Sequence, residues 1–445
     1  MKTMALEKTG MTSVGSTGTS QVFLFSKTLS PSGKDSAAKL SPDASIPVIS
    51  GEIQDGFTNA FPGVLAGQAF VDEALQRMGA FRFTVVMIRP DSRLSAGEGL
   101  AIDPFLLNAG FILEQMTRPL HAMWGLINPD ALGCMIPGTD PDVSRNLGAN
   151  IQNHLAAFQK ETVSIGIAFF PLAGFSRNDA VLNAWKALSH AAVSGPGSMV
   201  VMDAVSLNIS GDHLYQAGNL QGAAEEYRKA LQLDPSNVNV HNSLGVCYGM
   251  LERYDAAEAE FDAALALKPD EVMAMFNLGV ICLLTGRKET ALEFFMKAAA
   301  IDDGIFELAL LTGKLYLDAG NPEKARSFLE KAVDYRPKSA TALRTLGACY
   351  SSLNLLREAV AVYTRAVKNN PGDAESFSQL GRLYDMIGEN PEIARLFCEQ
   401  SVAIAPENEV YRERLNRLTQ KRRMMEDRRQ NTDDRRRTAD GRLFE

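Results

Sequence analysis

The sequence predicts two fold classes in series. An α+β sandwich of the ferredoxin-like kind comes first, and an all-α solenoid of repeated helix pairs follows. Three observations carry this. A glycine returns every 34 residues at Gly211, Gly245, Gly279, Gly313, Gly347 and Gly381. Alanines keep the same step in two further registers, from Ala223 to Ala359 and from Ala230 to Ala366. The apolar spacing changes near residue 204, from mixed strand and helix patterns to the helical period alone.

Residues 1–50 are rich in Ser, Thr, Gly and Pro and predict a disordered tail. Its one apolar run, Val22-Phe23-Leu24-Phe25, is open between a docking motif, a stray strand and a tail of little function. Residues 51–203 read as helix Leu65–Met78, strand Phe81–Ile88 and helix Phe105–Met116. A hairpin follows, His121–Ile127 and Ala131–Ile136, turning at Asn128-Pro129-Asp130. Helix Val143–Phe158, strand Thr162–Phe170, helix Asp179–Ala192 and a short strand Met199–Met202 complete a β-α-β-β-α-β order with additions.

Residues 204–406 divide into six units of two helices each. Pro235, Pro269, Pro337 and Pro371 close units at one register, Asp303 stands at the third closing position, and Pro406 closes the sixth. A charged helix over Leu415–Met425 is expected to cap the stack, within an end segment 407–425, and residues 426–445 to be a disordered charged tail. Stacking explains the pattern: one unit cannot bury its own apolar face, so small residues mark close helix crossings and aromatics fill the gaps.

These units resemble tetratricopeptide repeats. In the second, Leu244-Gly245, Tyr248, Ala257, Phe261, Ala264 and Pro269 fall on the family pattern; in the fifth, Leu346-Gly347, Tyr350, Ala359, Tyr363, Ala366 and Pro371 do so. The resemblance implies protein-protein interaction through a concave surface lined by the first helix of each repeat. Counting from each glycine places Asn208, Asp212, Asn242, Val246, Met273, Phe276, Val280 and Leu283 there. Leu310, Lys314, Leu317, Arg344, Ala348, Ser378, Arg382 and Asp385 continue it. Apolar anchors in the middle and arginines at the C-terminal end suit an extended or helical peptide with acidic groups. Met273 and Phe276 equally suit packing between first helices, and Arg344 and Arg382 a solvated face. The Lys, Asn and Arg set that clamps a peptide carboxylate in some family members is not evident.

Composition narrows the function classes. A net charge of -8 argues against general nucleic-acid binding, and no DNA partner is expected. The charge is uneven: Arg412 to Glu445 holds 12 basic and 7 acidic residues, so this tail is +5 and the rest -13. Such mixed clusters are usually solvated, with anionic lipid, RNA or an acidic protein as functional alternatives. The five cysteines form no CxxC pair and no cluster with histidine, so no metal, disulfide or cofactor is expected. No signal peptide or membrane span is seen, and the reading is cytoplasmic.

The first part resembles the GGDEF domain of bacterial diguanylate cyclases. The resemblance rests on Thr162-Val163-Ser164-Ile165-Gly166-Ile167-Ala168, on Met135-Ile136-Pro137-Gly138-Thr139-Asp140, and on Asp55-Gly56-Phe57-Thr58-Asn59 as an opening turn. Ala187-Leu188-Ser189-His190-Ala191 and Gly195 to Val201 resemble the closing helix and strand. The signature itself is replaced: Asn128, Pro129, Asp130, Ala131 and Leu132 stand where the family has Gly-Gly-Asp/Glu-Glu-Phe. Pro129 removes an N–H, Ala131 removes a carboxylate, and Ile88-Arg89-Pro90 offers none at the end of the first strand. Two-metal phosphoryl transfer needs those carboxylates, so the domain is expected to be catalytically silent. Homodimerisation, docking onto an active cyclase and weak nucleotide binding all stay open to it. Trp124, His121 and His154 read as structural.

The sequence therefore reads as a non-catalytic scaffold in bacterial signalling. Its rival is a regulator that responds to GTP or cyclic di-GMP through the degenerate domain.

Overall fold

The computed structural model describes residues 10–17, 20–26, 49–91, 104–138, 140–159 and 162–440. The chain forms two compact units, Met1–Thr285 and Gly286–Glu445.

The first unit opens with an antiparallel hairpin, β1 (Gly10–Thr17) and β2 (Ser20–Ser26), inside the tail that the sequence reading left disordered. Ser- and Thr-rich composition argues for disorder, but Thr, Val and Phe favour strands. The tail residues 1–9, 18–19 and 27–48 lie outside the described residues.

Two helices, α1 (Gly51–Ala60) and α2 (Gly67–Met78), precede strand β3 (Phe83–Pro90). Asp55–Asn59 thus lies within a helix rather than a turn. The cause is Ile53 and Phe57, four residues apart on one helical face and both buried. Then come α3 (Pro104–Thr117), β4 (Met123–Asn128), β5 (Ala131–Pro137), α4 (Pro141–Gln159), β6 (Val163–Phe170), α5 (Asp179–Ser194) and β7 (Met199–Val201). The sheet runs β4-β5-β3-β6-β7. All neighbours are antiparallel except β6 and β7.

Every residue of β3 is buried, because helices cover both sheet faces. Val86 and Ile88 share a core with Phe57 of α1 and Phe61 just after it, Leu106 and Leu113 of α3, and Ile151 and Leu155 of α4. Phe83, Val85 and Met87 alternate to the opposite face and are equally buried. There α5 lies on β6 at backbone distance. A Cβ on Gly166 would stand 2.2 Å from the Leu188 nitrogen.

The α/β part passes straight into the repeats. Only Met202 and Asp203 separate β7 from α6 (Ala204–Gln216). Asp203 caps α6: its carboxylate accepts from the Ser206 N–H and hydroxyl, each at 2.8 Å. Burial works against that anion, but the bonds from His190 and Ser206 prevail and hold its pKa below the ordinary value. Helix α5 also packs on α6, so the compact unit runs on through α7 (Leu220–Leu233), α8 (Val238–Met250), α9 (Tyr254–Leu267) and α10 (Val272–Leu284). Between α5 and α7 the Lys186 ammonium meets the Glu226 carboxylate at 2.6 Å, with side chains only 4% and 10% exposed.

The second unit holds α11 (Lys288–Ile301), α12 (Phe306–Asp318), α13 (Pro322–Tyr335), α14 (Ala340–Ser352), α15 (Leu356–Asn369), α16 (Ala374–Ile387) and α17 (Pro391–Ile404). The end helix α18 then runs from Glu409 to Asp440, well past the predicted stop at Met425. No Gly or Pro interrupts residues 409–440, and opposite charges recur four apart in the sequence, as at Glu413 and Arg417, which supports a helix. Residues 441–445 lie outside the described residues.

Five of the repeat glycines, Gly211, Gly245, Gly313, Gly347 and Gly381, mark contacts too close for a side chain. A Cβ on Gly211 would meet the Tyr227 ring at 2.4 Å; at Gly245, Phe261 stands at 2.6 Å; at Gly347, Tyr363 at 2.6 Å. At Gly381 the Cys398 sulfur would lie 2.3 Å away. All five cysteines are buried and free. Burial pushes the thiols of Cys134 and Cys247 up to about 12 and those of Cys349 and Cys398 up to about 11.

Two stability tests follow from these contacts. Gly347→Leu drives a side chain into Tyr363 and should cost about 1–3 kcal/mol, read as a lowered Tm. Glu226→Gln leaves a buried ammonium without its counter-charge and should cost about 3–5 kcal/mol. Replacing both partners, Lys186→Met with Glu226→Leu, should recover most of that loss in urea unfolding. Equal losses in the single and double variants would rule out the buried charge as the cause.

Candidate functional site on the first helices of the repeats

The first helix of each pair (α6, α8, α10, α12, α14, α16) carries the periodic glycine near its middle. At Gly211, Gly245, Gly313, Gly347 and Gly381 that glycine faces the second helix of its pair. Positions three before and one after it lie four residues apart and share another face. This is the face on which the candidate binding residues fall, and its character differs between the two compact units.

In the first unit the face is covered. Asn208, Asp212, Asn242, Val246, Phe276 and Val280 are between 0% and 5% exposed. Met273 and Leu283 are half-buried. Polar groups there are tied within the fold. Tyr227 donates its hydroxyl to Asp212 Oδ1 at 2.7 Å, and Asn277 Nδ2 donates to Asn242 Oδ1 at 2.9 Å. Burial, with the Asp212 charge second, pushes the Tyr227 hydroxyl well above its ordinary pKa. Strand β2 runs beside α8 and α10.

In the second unit the equivalent face is more open. Leu310, Lys314, Leu317, Arg344, Ala348, Arg382 and Asp385 are all half-buried. The two arginines are engaged by neighbours. Arg344 lies 3.5 Å from Asp373 and 3.7 Å from Glu375. Arg382 Nε donates to Gln379 at 2.9 Å. Asp373 also caps α16, accepting from the Ser376 N–H at 3.2 Å and its hydroxyl at 2.7 Å. Sequence reasoning passed over these carboxylates, although Asp373-x-x-Ser376 is a legible cap.

Ser378, expected on the open face, is fully buried. The reason is α18: Arg414 donates to the Ser378 carbonyl at 2.7 Å and to its hydroxyl at 2.5 Å. Lys421 reaches Asp385 at 2.5 Å. A cleft of about 140 Å³ remains between α16 and α18, lined by Arg382, Asp385, Arg414 and Arg417.

Residues Asn128 to Leu132 form the tip of the β4–β5 hairpin. Asn128 ends β4 and is 4% exposed; its Oδ1 accepts from the Asp130 N–H at 3.0 Å. Pro129 and Asp130 make the turn, and Ala131 and Leu132 are fully buried at the start of β5. At the end of β3 stands Arg89, 3% exposed, its guanidinium 5.9 Å from the Trp185 ring centre. Burial lowers the pKa of Arg89 against the raising pull of Asp130 and Asp91. Asp91 itself accepts from the Ser164 hydroxyl at 2.5 Å and the Gly197 N–H at 2.7 Å. Among the described residues, no group of three or more His, Cys, Asp or Glu side chains is placed to hold a metal ion. Nor is any helix among them long and apolar enough to cross a membrane.

The repeats match the family descriptions "TPR repeat" over residues 211–252 and "Tetratricopeptide repeat" over 248–304 and 316–383. The helix pairs are tetratricopeptide repeats. Three solved structures illustrate the similarity. YrrB, described as a TPR protein with an unusual peptide-binding site, is 22% identical over 43% of this chain and 97% of its own, at a TM-score of 0.41. PilF of Pseudomonas aeruginosa is 21% identical over 47% of this chain and 95% of its own, at 0.41. A thermophilic TPR protein of Thermus thermophilus is 21% identical over 40% of this chain and 98% of its own, at 0.31. No curated protein matches the chain.

His213 gives the first repeat a pH signature. Burial lowers its pKa below the ordinary value. The unfolded chain therefore takes up this proton at a higher pH than the folded one does. Stability should fall as pH drops below about 6.5, with a slope of up to about 1.4 kcal/mol per pH unit. His213→Gln should flatten that part of the curve in urea titrations at pH 5 to 7. An unchanged slope would remove His213 from the account.

Proposed function

We propose that the protein is a non-catalytic adaptor that holds partner proteins on the first-helix face of its repeats. The observation that carries this is the half-open face of the fourth and fifth repeats. There Leu310 and Leu317 offer apolar contact beside Lys314 and Arg344. Such a surface suits an extended peptide with one or two apolar residues and a nearby carboxylate, which would compete with Asp373 and Glu375 for Arg344. Tetratricopeptide repeats are in general interaction scaffolds, and this reading applies that role to these residues.

The α/β part fits the same reading as a degenerate GGDEF-like domain that supports assembly in a bacterial signalling complex. Buried Asn128 and the Pro129 turn fill the hairpin tip, and the carboxylate of Asp91 is already bound by Ser164 and Gly197. These features support a structural role over phosphoryl transfer.

The test is partner capture with the full chain followed by quantitative binding. Leu310→Asp with Leu317→Asp should weaken a captured partner by at least about tenfold, or about 1.4 kcal/mol. Arg344→Glu should act mainly on partners with acidic segments. Unchanged binding in both variants would reject this face. A thermal-shift series with GTP and cyclic di-GMP, with and without Mg²⁺, should show no saturable rise. A clear rise would instead make the α/β part a nucleotide-responsive regulator.

A further inference from the structure

We infer that strand β2, Ser20–Ser26, is a built-in ligand of the repeats. It occupies the first-helix face of the second and third repeats, so a partner for that face must displace it. This rests on the reading of the first-helix face as a binding surface.

Three observations converge. The first is placement: β2 runs beside α8 and α10, the first helices of those two repeats. The second is burial at equivalent positions. Asn242, Val246, Phe276 and Val280 are 0% to 3% exposed, whereas Leu310, Lys314, Arg344 and Ala348 at the same repeat positions are half-open. Both sets sit on first helices flanked by the helices of neighbouring repeats, so repeat stacking alone does not separate them. Asn208 and Asp212 of α6 are equally buried at these positions, where α5 packs on α6; beside α8 and α10 the added element is strand β2.

The third is chemistry. The segment Ser20-Gln21-Val22-Phe23-Leu24-Phe25-Ser26 carries no charge and has four consecutive apolar residues. The face beside it is likewise uncharged, built of Asn242, Val246, Phe276 and Val280. The face of repeats four to six instead carries Lys314, Arg344 and Arg382. An uncharged apolar strand therefore matches the second and third repeats and mismatches the later ones.

The consequence is competition. A ligand on the same chain acts at an effective concentration of roughly millimolar, so only a similar and stronger segment displaces it. The partner class for this face is thus an extended, uncharged, aromatic-containing segment like β2. The later face is left available to acidic peptides.

The experiment uses a fluorescein-labelled peptide of sequence SQVFLFS and the full chain. It is titrated into the unaltered chain and into a full-length Phe23→Asp, Phe25→Asp variant, whose repeats are unchanged. The variant should bind the peptide at least about tenfold more tightly. A photocrosslinking version of the peptide should attach within residues 238–284. Equal affinity for both chains, no binding to the variant, or attachment elsewhere would each overturn the proposal. Partner capture with the Leu310 and Leu317 variants tests the repeats as a binding surface, and the peptide titration tests only whether β2 fills one. Either can fail alone.

Discussion

The repeats depend on one steric constraint: at Gly211, Gly245, Gly313, Gly347 and Gly381 the second helix of the pair approaches the first more closely than any Cβ allows. At Gly211, Gly245 and Gly347 the space a side chain would need is taken by the ring of Tyr227, Phe261 or Tyr363. At Gly313 it is taken by Leu329, and at Gly381 by Cys398 and the Ala394 carbonyl. Fixing this approach in these five pairs fixes which residues of their first helices turn inward. The remaining positions then line the exposed face as a consequence of packing. Burial of the rings opposite the glycines makes each helix pair depend on its neighbours.

The join between the two kinds of architecture follows similar logic. Helix α5 closes one sheet face over β6, where Gly166 lets the backbones meet, and presents its other side to α6. With two residues between β7 and α6, and Asp203 bound both as cap and by His190, the first repeats fold in the same compact unit as the sheet. The Lys186–Glu226 pair ties α5 to α7. Composition marks a boundary near residue 204, whereas packing marks none there.

What was legible in the sequence was what repeats or alternates. The 34-residue step gave the helix pairs, and the hairpin over residues 123–137 showed in its Asn-Pro-Asp turn. Helix α1 was missed because Asp55-Gly56-Phe57-Thr58-Asn59 read as an opening turn, while burial of Ile53 and Phe57 outweighs the cost of a helical glycine. The run Val22–Phe25 left a strand open for β2 but its partner β1 is Ser- and Thr-rich and gave no signal, and the length of α18 was missed because a charged segment reads as unstructured when no apolar face is visible locally. The candidate face was placed by counting from the glycines. Its division into a covered and a more open half depends on elements distant in sequence, β2 beside α8 and α10, and α18 over Ser378, which no periodicity reports.

The buried thiols carry a practical consequence. All five cysteines of the chain are enclosed, and burial raises every one of their pKa values. Near neutral pH the nucleophilic thiolate is scarce at each, and access is closed as well. The folded protein is therefore close to inert toward maleimides and haloacetamides as it stands. A single cysteine added at an exposed site, on α18 or at the edge of the α12–α14 face, would be the one fast-reacting thiol. Fluorophores or spin labels can be placed there without first stripping the native cysteines out of the cores they fill.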